Sequence, residues 1–327
     1  MKLILLTGHR KGGTSVFHKL FDGHPYINIF PVDISVLYAY FPYFTSKYYK
    51  DPDFLLGRIK LILSRTLNPM EGRKVANGTS LFEFETYWGN LAEILDIRQL
   101  CERDHVIKSV LEAYGKTHGM DPELPWVVKE TSQAIHTGYF LEKFPDIRIL
   151  NVVRDPRDNY AALKSGVDKY YSKIGENDLE TLASLLNRWR VDTLAARNWD
   201  AGRPDAFRTI RFEDIALKTR ETMESIAEFC GITMDDSLLT PTFLEESYTG
   251  NSHEGIAFRG ISSENIGRWR ERISEQEAQV IEFWLEDFMT HFRYDPCYNR
   301  NISANAFADF YSWYNTRYFY KDSFSND

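Results

Sequence analysis

Several things are scarce in this chain, and each shortage excludes a class of protein. Its 327 residues include three cysteines, Cys101, Cys230 and Cys297, with no close pair. That spacing suggests neither a disulfide framework nor a zinc site. The eight histidines form no H-E-x-x-H or comparable cluster, so no metal is expected. No run approaches the ~20 apolar residues of a membrane-crossing helix. Basic residues are outnumbered 39 to 47, which argues against a general nucleic-acid binder with its basic footprint. A local basic pocket remains compatible with that balance. Internal repeats, low-complexity tracts and long linkers are missing as well. The sequons Asn77-Gly-Thr79 and Asn301-Ile-Ser303 come without a secretory signal, so a soluble, reducing, cytoplasmic setting is expected.

What is present begins with the first 25 residues. Met1-Lys-Leu-Ile-Leu-Leu-Thr7 is a short apolar run suited to a buried parallel strand. Gly8-His-Arg-Lys-Gly-Gly-Thr-Ser15 follows, and then Val16, Phe17, Leu20 and Phe21 fall on one face of a helix. Strand, glycine-rich turn and helix together converge backbone N–H groups and a helix dipole on an anion. Gly8 and Gly13 have the spacing of the nucleotide loop G-x-x-x-x-G-K-[ST]. Thr14 stands where that loop carries its lysine, however, and Lys11 lies inside the turn. An ATP-type loop needs its lysine at the helix start, where it reaches the terminal phosphates, so the deviation is informative.

Along the chain, strands alternate with helices, which predicts an α/β fold with a mainly parallel sheet. One three-layer domain over residues 1–294 is expected, followed by an aromatic-rich extension over 295–327. From Ile27 to about Lys74 the pattern is irregular and aromatic, with Tyr38 to Phe44, Tyr48 and Tyr49 ahead of a helix over Phe54–Leu67, and about 31–75 reads as a variable segment. It is open to two readings, a lid or acceptor-binding insertion and a surface helical hairpin. Thr79 to Glu85 alternates weakly as a strand would, and Trp88–Leu95 reads as helix. Further helices are predicted over Val106–Tyr114, His136–Phe144, Leu179–Trp199, Ile215–Cys230 and Ser274–Phe292. Strands are predicted at Trp126–Lys129, Ile147–Val153 and Phe207–Phe212. Ile147–Val153 runs directly into Arg154-Asp-Pro-Arg-Asp158 and a helix through Leu163; ligands of open α/β sheets bind at such carboxyl strand ends. Arg154 there can offer a planar multi-donor guanidinium to a phosphate. The tail, with Phe307, Phe310, Tyr311, Trp313 and Tyr314, is too aromatic for a disordered end. Packing back on the domain, a homodimer contact and a wall of the acceptor site are the three roles open to it.

Taken in series, these segments resemble the sulfotransferases that use 3′-phosphoadenosine-5′-phosphosulfate (PAPS). Arg10-Lys-Gly-Gly-Thr-Ser15 looks like their 5′-phosphosulfate loop, with His24-Pro25 at the usual distance. Leu141 to Asp158 looks like the family's strand and 3′-phosphate motif. Arg211-Phe-Glu-Asp-Ile215, backed by Phe229-Cys-Gly-Ile232, and Ile266-Gly-Arg-Trp-Arg270, followed by Phe292-Arg-Tyr294, are similar to its later signatures. The likeness spans roughly residues 2 to 294 in the correct order. It departs at Ala162, where the family usually has a serine donating to the 3′-phosphate; Ser165 lies one turn on. Phe258-Arg259-Gly260 only partly resembles the late arginine–glycine segment, and Arg268 or Arg270 are rivals for that place.

The resemblance implies sulfuryl transfer from PAPS to a small-molecule, carbohydrate or lipid-linked acceptor, leaving 3′-phosphoadenosine-5′-phosphate (PAP) and needing no metal. It implies a donor site of Arg10, Lys11, Gly12, Gly13, Thr14, Ser15 and Arg154, with Ala162, Arg259, Gly260, Arg268 and Trp269 around the far phosphate. Lys11 would stabilise charge on the bridging oxygen as the sulfuryl group leaves. Relatives use histidine or glutamate as general base, which leaves Glu83, Glu130, Glu85 and His136 as candidates, in the order Glu83, Glu130, then the other two. Two alternatives stay open: a nucleoside or small-molecule kinase with an atypical phosphate loop, and a non-catalytic nucleotide-binding protein on the same fold.

Overall fold

A computed structural model describes residues 1–41, 51–73, 82–166, 178–248, 250 and 260–320. Its middle layer is a five-stranded, wholly parallel sheet in the order β2-β3-β1-β4-β5. The strands are β1 (Leu3–Gly8), β2 (Asn28–Asp33), β3 (Trp126–Lys129), β4 (Arg148–Val153) and β5 (Phe207–Arg211). β1 is buried along its whole length, as the continuous apolar run of a central parallel strand requires. Its side chains alternate between two cores. Leu3 and Leu5 join Phe30, Trp126 and Val128 on one face. Ile4 and Leu6 join Phe17, Val127, Leu150 and Val152 on the other.

The first face is covered by α2 (Pro52–Leu67), α3 (Phe84–Ile94), α4 (Arg103–His118) and α5 (Thr137–Lys143), which supply Leu55, Ile59, Leu91, Val110 and Phe140. The second is covered by α1 (Thr14–Lys19), with α8 (Phe212–Leu217) and α9 (Thr219–Cys230). A third apolar cluster joins α6 (Pro156–Lys164), α7 (Asp178–Gly202), α10 (Glu275–Trp284), α11 (Glu286–His291) and α12 (Arg300–Tyr320). Three layers around one parallel sheet is the predicted class. No helix among the described residues is long and apolar enough to cross a membrane.

Some local expectations are corrected. β2 lies in the segment that reads as irregular, because Pro31 interrupts it. Proline is tolerated only where a ladder donor is dispensable, and β2 is an edge strand whose pairing with β3 shifts between Ile29 and Asp33. The strand expected over Thr79 to Glu85 fails where it can be followed. Residues 79–81 lie outside the described ones, and Phe84 already begins α3, its N–H donating to the Glu71 carboxylate at 3.1 Å. The alternation comes from Phe82 and Phe84 both packing on the core at the entry to that helix. The helix expected over Ile215–Cys230 is two helices that meet at Lys218, where φ is −135°. The one over Ser274–Phe292 likewise breaks at Leu285, φ −113°. Within the aromatic segment, residues 42–50, with Phe44, Tyr48 and Tyr49 among them, lie outside the described residues.

Candidate functional site

The site is built where β1, β3 and β4 end. Gly8 pairs with Val152 of β4, and a Cβ there would stand 2.3 Å from the Val152 carbonyl oxygen. Gly13, at φ +97°, caps α1; a Cβ on it would meet the Phe212 ring at 2.2 Å. Both positions therefore require glycine. Between them Lys11 takes a left-handed φ of +62°, and the Gly12 N–H closes the turn on the His9 carbonyl at 3.0 Å. Gly13, the N-cap, has no side chain with which to cap the first turn of α1, whose N-terminus faces this loop.

The loop is clamped from α6 and β4. Asn159 is buried; its Nδ2 donates to the Arg10 carbonyl at 2.7 Å and its Oδ1 lies 2.7 Å from His9 Nδ1. Burial pushes His9 down to about 4, so the ring is neutral at pH 7 with its proton on Nδ1, donating to Asn159. Arg154 is buried as well. Its Nη1 donates to the Lys11 carbonyl at 3.2 Å and its Nη2 to that of Asn265 at 2.8 Å, with the guanidinium 5.0 Å from the Phe212 ring centroid. Its Nε has no hydrogen-bond partner among the described residues. Burial, and then the Arg154 charge, bring the Lys11 amine down to about 8.

The segments that the sequence places far apart meet behind this loop. The Asp155 N–H donates to Glu213 at 3.0 Å, and Tyr294 O–H donates to the other Glu213 oxygen at 2.9 Å. The Asp158 carboxylate accepts from Gly267 N–H at 2.7 Å and Trp269 N–H at 2.9 Å. Arg157 spans Asp155 and Glu282, with its guanidinium over the Trp269 ring. Trp269 is thus buried as a framework residue. Arg268 reaches Asn265 Oδ1 at 3.1 Å. Ala162 sits on α6, where the Ser165 hydroxyl donates back to its carbonyl at 3.1 Å. Gly260 has φ +79°, and Arg259 lies outside the described residues.

On the β3 side, Lys129 is buried at its strand end; its Nζ donates to Ser15 Oγ at 3.4 Å and pairs with Asp33 at the end of β2. Thr14, next to Ser15 in the chain, is buried. Glu130 accepts from Ser35 N–H at 2.6 Å and from Thr131 N–H at 3.0 Å. Burial first, and the charge of Asp33 second, push its carboxyl up to about 7. Tyr38 hydrogen-bonds Arg10 and Thr131, and burial and the nearby Glu130 raise its phenol.

Of the four base candidates, only Glu130 stands among these groups. Glu83 is exposed at the start of α3, next to Phe82, which packs on Tyr114 and His118. Glu85 is exposed and 3.6 Å from Lys60. His136 is half-buried with its ring 5.6 Å from Phe41, its pKa lowered by burial and by Arg103. Sequence reasoning missed Asn159 and Asp33. Asn159 lies inside a recognised motif, but nothing in the spacing says that its amide faces a loop 150 residues earlier. Asp33 sits in the strand that Pro31 hides.

A profile of the sulfotransferase family matches residues 4–236. None of the curated proteins matches the chain. Among solved structures, the chain is similar to the sulfotransferase domain from the Synechococcus PCC 7002 olefin synthase, with a TM-score of 0.53 and 14% identity over 90% of this chain and 95% of that one. It is similar to the same degree to the sulfotransferase domain from the curacin biosynthetic pathway, at 0.53 and 15% over 89% and 97%. At such identities these likenesses speak to the fold.

Proposed function

The chain belongs to the sulfotransferase family, and from that premise we propose that it moves a sulfuryl group from PAPS to an acceptor hydroxyl or amine. The observation that carries the reading is the loop with Lys11 inside the turn and two basic side chains, Arg154 and Lys129, converging on it. Arg10, Gly12, Gly13, Thr14 and Ser15 would hold the 5′-phosphosulfate end. The fit is supported by two glycines that admit no Cβ, one of them the N-cap of α1, and by a buried Arg154 Nε that lacks a partner among the described residues. Sulfuryl transfer is an in-line displacement in which positioning and charge stabilisation supply most of the catalysis, as in phosphoryl transfer. Lys11 would meet the charge that develops on the bridging oxygen, as a donor already oriented before the reaction.

Arg154 supports this reading in a modified form. Both its Nη groups already hold backbone carbonyls, so its contribution is to fix the loop against the 260s segment, with Nε and its charge left for the donor. The far phosphate would then draw on Gly260, Arg268 and the α6 end around Ala162, with Arg259 as a further candidate. The acceptor side would be formed by the strand ends of β2 and β3, where a small hydroxylated molecule, a carbohydrate or a lipid-linked group could reach the sulfur from the face opposite the nucleotide.

The test is transfer of labelled sulfate from PAPS across acceptor classes, by wild type and by Lys11→Ala. Removing one preorganised donor of this kind costs about 3–4 kcal/mol of barrier, so kcat should fall at least ~100-fold while the protein stays folded. Turnover unchanged in Lys11→Ala would remove Lys11 from the mechanism.

A further inference from the structure

We propose that Asp33 is the general base that takes the proton from the acceptor hydroxyl; this rests on the sulfuryl-transfer reading of the same site. Asp33 is the last residue of β2 and lies in register with Lys129, the last residue of β3, at the sheet end that carries the phosphate loop. Its carboxylate pairs with the Lys129 ammonium, and that same ammonium donates to Ser15 of the loop at 3.4 Å. The carboxylate is therefore one ammonium away from the loop that would hold the phosphosulfate. It is also open to an incoming molecule, its side chain being 36% exposed where that of Lys129 is 5%.

Glu130 is the rival, and its environment argues for a different task. It is 1% exposed, and both its oxygens accept backbone N–H groups, from Ser35 and from Thr131. Ser35 has a left-handed φ of +49°, an unfavourable backbone for a serine, which the Glu130 bond helps to hold at the turn after β2. A carboxylate so occupied fixes the turn that follows Asp33, whereas Asp33 itself remains accessible. Tyr248 is near enough for the Asp33 charge, after burial, to raise its phenol.

The step balances with the groups named. The acceptor oxygen attacks sulfur as its proton passes to the Asp33 carboxylate. The new O–S bond forms as the bond from sulfur to the 5′-phosphate oxygen breaks. The electron pair leaves with PAP, where Lys11 meets the charge. The products are the sulfated acceptor, PAP and a protonated Asp33 that returns its proton to solvent.

The experiment measures sulfate transfer and, separately, PAP binding by calorimetry for wild type, Asp33→Asn and Asp33→Ala. The expected result is a loss in kcat of at least ~100-fold in both variants, with PAP affinity within about threefold of wild type and turnover of Asp33→Ala partly restored by added formate. Two results would overturn the proposal. One is kcat in Asp33→Asn close to that of wild type. The other is a fall in PAP affinity that parallels kcat with no formate rescue, which would make Asp33 only a support for Lys129. A wild type that binds PAP but transfers no sulfate to any acceptor would instead overturn the functional reading beneath it.

Discussion

At the scale of single residues, the site is a set of backbone atoms held in place by buried side chains. Gly8 and Gly13 exist because a β4 carbonyl and the Phe212 ring occupy the space of any Cβ. Asn159 and Arg154, both on the segment that runs from β4 into α6, hold two consecutive carbonyls, those of Arg10 and Lys11. Glu130 has a consequence for stability. Its carboxyl rises from the ordinary 4.5 to about 7, with burial as the main cause. The unfolded chain then releases this proton at lower pH than the folded one, so the native state binds more protons between the two values. Stability is fully present below about pH 4.5 and is lost as pH rises through about 7, by up to roughly 3 kcal/mol. Urea midpoints measured from about pH 5 to 8 should fall more steeply for wild type than for Glu130→Gln. Equal slopes would mean that Glu130 titrates normally.

At the scale of elements, each strand end delivers one part of the site, and the C-terminal helix α12 delivers stability. Phe307 of α12 stacks on Trp284 of α10 with ring centroids 5.0 Å apart, and Ala306 and Phe310 are buried in the same cluster as Trp269 and Trp189. This cluster stands behind Arg157 and Asp158, so the aromatic tail backs the far side of the motif that clamps the loop. Packing back on the domain is the arrangement these contacts describe. Phe310→Ala should cost about 3 kcal/mol, the usual range for deleting a buried ring, and should leave the elution volume unchanged. A shift in oligomeric state with little loss of stability would favour the homodimer role for the tail. The short hairpin β6 (Thr242–Phe243) and β7 (Glu246–Ser247) is tied to the other end of α1, since Asp22 accepts from Thr242 Oγ1 and from Glu245 N–H, both at 2.8 Å.

At the scale of the whole molecule, the order β2-β3-β1-β4-β5 makes β1 the centre of the sheet, with the chain departing to either side of it. Ligands of open α/β sheets bind at the strand carboxyl ends where such a reversal occurs, and the loop of residues 9–13 lies there. A ligand bound at this place stabilises the entire cooperative unit. PAP at about a hundred times its dissociation constant should add about 2.7 kcal/mol, a rise of several degrees in Tm. ATP with magnesium should add nothing comparable. The reverse preference in a thermal-shift comparison would favour the kinase alternative and sink the PAPS reading.

The sequence by itself determined the parts whose signal is local. The apolar run of β1, the glycines at 8 and 13, and the strand that runs into Arg154 each reveal themselves within a short stretch of chain, because strand burial and tight turns impose composition directly. The order of the motifs along the chain was legible for the same reason. What the tertiary structure decided is the set of partners across long separations. Glu213 receives Asp155 and Tyr294, Asp158 receives Gly267 and Trp269, and Asn159 reaches His9. No spacing rule encodes those meetings, since a side-chain hydrogen bond constrains geometry over a few ångströms and composition hardly at all. The same holds for Glu83, a carboxylate beside an alternating stretch that proved to be an exposed helix start, and for Asp33, which Pro31 concealed in an edge strand until its pairing with Lys129 brought it to the loop.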